Sequence, residues 1–270
     1  MKRLLRIEIL KNLSYRPFKI FSLIYWGAVV ILALVGFAEF NLGFLRFTLK
    51  DVGIYNFPNV WHFTAYIISL LKIFLAAIIV FSISQEFSNR MFKQNVIDGL
   101  SKQEFLSSKL LTIGIFSGLS TLVVTLLALL LGVKYSTDYS SSAMFSEVYF
   151  VLLYFIKLFL FLTLFLFLTV LFRNAIFPFL TVFVLWIVEG IFHASSQLNK
   201  IADFLPMTNI ARVLEAPFNR VSFNMNAAEN SGLYTIKAAT DFPWLALVIS
   251  LIYISIFIWA TYQLLKKRDW

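Results

Sequence analysis

Six long apolar segments dominate this chain of 270 residues, and the charged residues lie mostly in the gaps between them. A helix needs roughly 20 residues to cross a hydrocarbon layer about 30 Å thick, and each segment reaches or approaches that length. The runs are continuous, without the apolar and polar alternation of barrel strands. They predict an all-α polytopic membrane protein with six transmembrane helices, at 20–38, 63–84, 110–133, 148–172, 175–192 and 242–265.

Composition supports a single transmembrane domain over residues 1–270. Hydrophobic residues make up 60% of the chain and charged residues 14%, and no soluble domain of this size needs so much apolar surface. The first apolar run is too long and begins too late for a cleavable signal peptide. The chain has no cysteine, which excludes disulfides and thiol chemistry.

The distribution of basic residues predicts the orientation, because lysine and arginine close to a span resist translocation. An even number of spans places both termini on one side. That side carries fourteen basic and five acidic residues, against seven basic and eight acidic on the other. Both termini are therefore predicted to be cytoplasmic. The basic excess matches anionic lipid headgroups, so we expect membrane lipid as a partner and no nucleic acid.

The gap at 85–109 is the only cytoplasmic gap long enough to build a structural element. Residues at helical spacing predict a short helix of about three turns, and these are Phe87, Met91, Asn95 and Asp98. Gly99 then ends the helix. Ser101 and Glu104, three residues apart, form a capping box that begins the helix of the third span. The gap is too small for an ATP-binding domain, and the chain has no Gly-Lys pair, so a Walker-type phosphate loop is absent.

In these features the chain resembles the permease subunits of type-2 ABC exporters, the ABC-2 type family. The matching residues are Glu86 and Arg90, the turn Asn-Val-Ile-Asp-Gly-Leu-Ser at 95–101, and Lys109 at the entrance to the third span. The resemblance covers the whole chain: six spans, cytoplasmic termini, a basic N-terminal segment, and a long outer loop at 193–241 that contains Leu-Pro-Met-Thr.

The resemblance implies that 85–109 is a coupling segment, which docks on a separate ATPase subunit. It assigns that contact to Glu86, Phe87, Arg90, Met91, Asn95, Asp98 and Gly99. It also implies that ATP and Mg are bound by the partner ATPase, that this chain binds no cofactor and is not an enzyme, and that a second permease subunit, identical or different, completes the exporter in a bacterial inner membrane. The simpler alternative is that 85–109 is an ordinary basic connector.

The alternative function is a non-transporting membrane component that anchors or regulates a motility or secretion assembly. Partners without nucleotide-binding motifs favour this alternative, whereas an ATPase partner favours the exporter. The bundle interior is apolar and has no recognition motif, so the sequence identifies no substrate.

The segment at 1–19 is basic, with leucine and isoleucine interspersed at an imperfect helical spacing. This pattern predicts either an interfacial helix or a simple basic anchor. The first part of the outer loop is amphipathic and is interrupted by two prolines. It predicts either short helices that re-enter the outer leaflet or a small extracellular cap.

Three charges fall within the predicted spans: Lys72, Lys157 and Glu189. A charge at the centre of a lipid-facing helix costs about 2.5 to 3.5 kcal/mol, so these side chains are expected to face protein or water. All three lie toward the outer side, and lysine can extend along the helix toward that surface. The interpretation is a structural salt bridge of Glu189 with one or both lysines, in preference to a proton relay.

The remaining motifs are weaker. His193 follows Glu189 by four residues, but a metal site needs a third ligand, and His62, the other histidine, lies in no zinc-protease motif. Gly114 and Gly118 form a Gly-x-x-x-Gly pair, which predicts a helix-packing face within the subunit or between two subunits.

Overall fold

The computed structural model describes the chain at residues 8, 11–35, 39–41, 46–48, 53–136, 140–195, 197–223, 234–237, 239 and 242–267. Its α-helices are α1 Arg16–Val35, α2 Asn59–Ser69, α3 Lys72–Ser88, α4 Met91–Ile97, α5 Lys102–Tyr135, α6 Ser141–Phe145, α7 Tyr149–Phe172, α8 Phe177–Ala194, α9 Asn199–Ala202, α10 Pro206–Val213 and α11 Trp244–Lys267. Residues 11–14 are also helical, and Pro217–Arg220 form a 3-10 helix. Short antiparallel hairpins pair β1 Glu39–Asn41 with β2 Arg46–Thr48, and β3 Val221–Phe223 with β4 Tyr234–Ile236. The predicted all-α class is confirmed.

In the described ranges five helices are long and apolar enough to cross a membrane: α1, α5, α7, α8 and α11. The α2 and α3 pair passes the same test as one span, but it is bent by 42° at its break. The break lies at Leu70 and Leu71. A membrane protein with several helical spans is therefore confirmed, and the prediction of one unbroken helix over 63–84 is wrong.

The helix α5 is 34 residues long, which corresponds to about 50 Å and exceeds the thickness of the hydrocarbon layer. It begins at the predicted capping box, which is confirmed. Ser101 Oγ accepts a hydrogen bond from the Glu104 backbone N–H at 3.1 Å, and the Ser101 N–H donates to the Glu104 carboxylate at 2.9 Å. Two otherwise unpaired N–H groups are satisfied in this way.

The helix α7 is the centre of the bundle. It packs against α2, α3, α5, α8, α10 and α11, and most of its residues are buried. A helix that is apolar on every side fits this position. A buried hydroxyl cluster ties α7 to two other spans: Ser120 Oγ lies 2.5 Å from Tyr154 Oη and also contacts Tyr25 Oη. Pairing these hydroxyls matters because lipid offers them no partner.

Different structural elements form the two ends of the bundle. The described N-terminal residues, α4 and the end of α11 meet at one end, where Gln103 Nε2 donates to Tyr262 Oη at 3.1 Å and Lys102 Nζ donates to the Lys266 carbonyl at 3.2 Å. We call this end the terminal face. The opposite end, the loop face, carries α6, α9, α10 and the β3–β4 hairpin, and Trp61 Nε1 there donates to the Met144 carbonyl at 2.8 Å.

The described part of the long loop is docked on the bundle. Ile210, Val213 and Leu214 are fully buried, and α10 packs against α7, α8 and α11. Both short helices that re-enter the outer leaflet and a small extracellular cap packed on the bundle agree with this burial. Residues 224–233, within the predicted exposed loop, lie outside the described residues.

The glycine pair of α5 makes little close contact within the described chain. A Cβ added at Gly114 would lie 3.9 Å from the Phe159 ring, and one added at Gly118 would meet nothing within 4 Å. Within the described residues, the pair therefore makes one ordinary contact, from Gly114 to α7, and packing of this face inside the subunit stays a prediction. Contact with a second subunit stays a prediction. Gly132 is the close-packed glycine of α5, since a Cβ there would overlap the Phe57 ring.

Candidate functional site

A buried cluster of two acidic and two basic side chains lies under the terminal face. Lys109 Nζ lies 2.6 Å from Glu8 Oε1 and also pairs with Glu86. Lys11 pairs with Glu86 as well and lies 3.4 Å from Glu8. Glu86 is 1% exposed and Lys109 is 3% exposed. The cluster is charge-balanced, as a buried ionic group has to be to offset the cost of desolvation.

Three separate chain segments build this cluster. Glu86 is in the last turn of α3, Lys109 is in the third turn of α5, and the other two side chains precede α1. Asn12 adds a neutral contact, because its Oδ1 accepts a hydrogen bond from Ser82 Oγ of α3 at 2.7 Å. The N-terminal segment is thus fixed to the helices on both sides of α4. A simple basic anchor on the membrane surface, one of the two alternatives predicted from the sequence, would not need these contacts.

The charges of the cluster act on one another. Burial alone would raise the pKa of Glu8, but the ammonium groups of Lys109 and Lys11 outweigh it and hold that pKa below its ordinary value of 4.5. Burial lowers the pKa of Lys11 to about 7, with Lys109 adding to the shift and Glu8 opposing it. The cluster therefore stabilises the ionised form of Glu8.

A cluster of aromatic rings packs α4 against its neighbours beside these ion pairs. The rings of Phe92 and Phe105 meet edge to face with centroids 4.6 Å apart, and Phe87 lies 5.6 Å from Phe92. Phe92 and Phe105 are fully buried. Such ring pairs contribute about 0.5 to 1.5 kcal/mol beyond their buried area. The inner side of α4 is thus anchored to the start of α5.

Two turns with positive φ bracket α4. Arg90 has φ 56° and Gly99 has φ 95°, and the Leu100 N–H closes the second turn on the Asn95 carbonyl at 2.9 Å. The predicted stop at Gly99 is confirmed. The helix itself has seven residues, or about two turns. The predicted continuous helix of three turns from Phe87 is wrong, because the left-handed Arg90 separates α3 from α4.

The structure divides the residues assigned to the ATPase contact. Those on the surface are Arg90, Asn95, Asp98 and Gly99, whereas Phe87 and Met91 are half-buried. Glu86 is buried in the ion cluster, so direct contact with a partner is wrong for this residue and its contribution is to hold α3 to α5. The sequence interpretation missed Ile97, which is 74% exposed at the end of α4. Its apolar side chain next to charged neighbours was the available signal.

Glu189 has a different partner from the one predicted. Its carboxylate accepts hydrogen bonds from the backbone N–H groups of Met207 at 3.0 Å and Thr208 at 2.6 Å, and thereby caps the N-terminus of α10. Lys157 Nζ donates to the Leu214 carbonyl at 2.8 Å, and Lys72 Nζ lies 4.7 Å from the centroid of the Phe161 ring. The predicted salt bridge is wrong, because free N–H groups at a helix start satisfy a carboxylate as a cation does.

A second buried ion pair joins the elements of the loop face. Arg220 binds the Glu147 carboxylate with two nitrogens, at 2.7 and 3.1 Å. It also donates to Asn59 Oδ1 at 3.0 Å and to His62 Nδ1 at 2.9 Å. His62 Nε2 in turn donates to the Glu215 carbonyl at 2.9 Å. Each strong donor of this group has an acceptor, so the arrangement is a structural clasp.

The histidines belong to hydrogen-bond networks. His193 Nε2 donates to Thr208 Oγ1 at 3.1 Å, and His62 belongs to the Arg220 clasp. Among the described residues no three or more histidine, aspartate or glutamate side chains come together in a way that could hold a metal ion.

The ion cluster gives stability a defined dependence on pH. The pKa of Glu8 is lower in the folded protein than its ordinary value of 4.5, so the unfolded chain takes up a proton first as the pH falls. The contribution of Glu8 is present above about pH 4.5 and is lost as the pH falls through the folded pKa. Glu8→Gln should flatten the fall in unfolding free energy below about pH 4.5.

Unfolding in detergent at a series of pH values measures this difference. Asp98→Asn removes an exposed carboxyl at the same face and should leave the slope as in the wild type. Identical slopes for Glu8→Gln and the wild type would show that the folded protein does not stabilise the Glu8 carboxylate.

Comparison with known proteins gives a family and no activity. A family model described as a protein of unknown function (DUF2705) matches residues 25–270. No curated protein and no solved structure matches the chain. The matched range includes α3, α4 and α5, with Glu86 and Lys109 of the ion cluster.

Proposed function

The chain belongs to the DUF2705 family of unknown function, and from the arrangement around α4 we propose that it is the permease subunit of an ATP-driven exporter. In this proposal α2 and α3 form one bent span, so that the bundle has six spans and the terminal face is cytoplasmic. The basic residues on that side support this orientation. A separate ATPase chain binds ATP and Mg, and a second permease subunit completes the assembly in a bacterial inner membrane.

The observation that supports the proposal is that α4 is a short surface helix whose inner side is anchored to the bundle. On its inner side, Phe92 packs against Phe105, and buried ion pairs between Glu86 and Lys109 join the spans on either side. A displacement of α4 therefore has to move both spans. A permease without its own nucleotide site needs such a connection, because movement of the partner ATPase has to be transmitted from the docking surface to the spans.

The outer side of α4 offers that partner a defined contact. Ile97 is 74% exposed, and it is flanked by the exposed polar side chains of Lys93, Asn95 and Asp98. Burying an isoleucine side chain contributes about 1.5 to 3 kcal/mol. An apolar residue in a polar rim is also the usual composition of the centre of a protein interface.

Ile97→Asp should release the ATPase, because it removes the apolar contact and places a charge where the partner would bury it. A loss of about 1.5 to 3 kcal/mol corresponds to an affinity for the ATPase that is at least about tenfold weaker, so less ATPase should co-purify with the permease. The readouts are ATPase co-purification from solubilised membranes and ATP hydrolysis by the reconstituted complex.

Ile176 supplies the matched control. It is 73% exposed and lies in the turn between α7 and α8, where those helices reach the terminal face, so Ile176→Asp makes the same change outside α4. Loss of ATPase co-purification in both variants, or in neither, would overturn the assignment of α4 as the docking helix. If wild-type protein co-purifies only with chains that lack nucleotide-binding motifs, the exporter proposal fails and a non-transporting anchor replaces it.

A further inference from the structure

A groove runs along α8 on the side where α9 and α10 pack. It has a volume of about 800 Å³, and its lining includes Trp186, Ile187 and Ile191 from α8 and Met207 and Ala211 from α10. Trp186 and Ile191 are among the large apolar side chains exposed on α8. The groove is therefore apolar and open on a side of a membrane-spanning helix.

The length of the groove matches one leaflet. Its α8 wall extends from Trp186 to Ala194, a separation of eight positions that corresponds to a rise of about 12 Å along the helix axis. One hydrocarbon leaflet is about 15 Å thick. The groove begins near the middle of α8 and ends at the loop face, so an alkyl chain that lies in it would point its polar end toward that face.

Charged and polar groups line the same groove. Arg212 Nη1 lies 3.0 Å from Asp203 Oδ1, and both side chains are partly exposed, at 37% and 43%. This pair presents one positive and one negative group side by side. A zwitterionic headgroup carries the same two charges, with a phosphate to meet Arg212 and an ammonium to meet Asp203.

Gly190 keeps the groove open. A Cβ added at Gly190 would meet nothing within 4 Å, although the residue lies in the wall of the groove. Glycine inside a helix costs about 1 kcal/mol relative to alanine, and no neighbouring atom requires it here. A large side chain at this position would therefore enter the groove.

We propose that this groove binds one acyl chain of a phospholipid, with a zwitterionic headgroup paired to Arg212 and Asp203. The apolar wall contacts the acyl chain, the open space at Gly190 leaves room for it, and the charged pair selects the headgroup. The site is independent of the proposed exporter function, since neither α4 nor any ATPase contributes to it.

Gly190→Phe tests the proposal by filling this open space. The matched control is Gly27→Phe in α1, where an added Cβ also meets nothing within 4 Å. Each full-length protein is delipidated in mild detergent, phosphatidylethanolamine is added back, and retained lipid is counted by native mass spectrometry. Wild type and Gly27→Phe should retain one lipid, whereas Gly190→Phe should lose about tenfold in affinity.

A second variant that fills the groove and a second lipid complete the test. Ala211→Phe fills the groove from the opposite wall and replaces Gly190→Phe if that variant does not fold. Phosphatidylglycerol, which lacks the ammonium group, should be retained less well than phosphatidylethanolamine by the wild type, and Asp203→Asn should reduce that difference. Equal lipid retention by all variants, equal loss in both glycine variants, or a changed oligomeric state with unchanged lipid would overturn the proposal.

Discussion

Lys109→Met is expected to lower the free energy of unfolding by about 3 kcal/mol. Removing one partner of a buried ion pair costs about 3 to 5 kcal/mol, because the other partner is left buried without compensation. Here Glu8 and Glu86 would share, among the described residues, the single cation Lys11, whose side chain is 25% exposed. We expect the lower end of the range because Lys11 still contacts both carboxylates.

The rescue distinguishes ion pairing from packing. Glu86→Gln combined with Lys109→Met leaves Glu8 and Lys11 as a balanced pair and should recover part of the loss. Lys93→Met makes the same side-chain change at an exposed position of α4 and should stay within about 0.5 kcal/mol of the wild type. Unfolding in mixed micelles, followed by circular dichroism, measures all four proteins. A Lys109→Met loss below about 1 kcal/mol would contradict a buried, paired cluster.

Arg220→Met is expected to cost about 3 to 5 kcal/mol, the full range for a broken buried pair. Glu147 would lose both guanidinium hydrogen bonds and, among the described residues, keep a hydrogen bond from the Ala239 N–H at 3.1 Å. Asn59 and His62 would lose donors as well. Arg220→Lys should recover little of this, because an ammonium cannot reproduce the planar, bidentate contact.

The Arg212–Asp203 pair provides the contrast for Arg220. Its side chains are 37% and 43% exposed, and exposed pairs contribute about 0 to 1 kcal/mol. Arg212→Met should therefore change the unfolding free energy by less than about 1 kcal/mol. Equal costs for Arg212→Met and Arg220→Met would show that burial does not set the strength of the clasp.

Sequence reasoning succeeded where the signal was local. Continuous apolar runs predicted the membrane helices, because the length of a span follows from the bilayer thickness. Ser101 with Glu104 predicted the start of α5, and Gly99 predicted the end of α4, since each involves residues within one turn of each other.

Sequence reasoning failed where the partner is distant or is backbone. Glu8 and Lys109 are 101 positions apart, and no local pattern brings them together. Glu189 binds N–H groups of α10, whose position depends on how the loop packs. The bend between α2 and α3 occurs at two leucines, without the proline or glycine that usually marks a break in a helix.

The ion cluster also imposes an order on biosynthesis. Chains are made at about 5 to 20 residues per second, and Lys109 follows Glu8 by 101 positions, so roughly 5 to 20 seconds separate the two residues. During that interval the Glu8 carboxylate has to stay in water at the surface, with the first span already available for insertion. The N-terminal segment therefore reaches its final place only after the second span has been inserted and the third has begun, so the first residues to be synthesised settle later than about 100 residues that follow them.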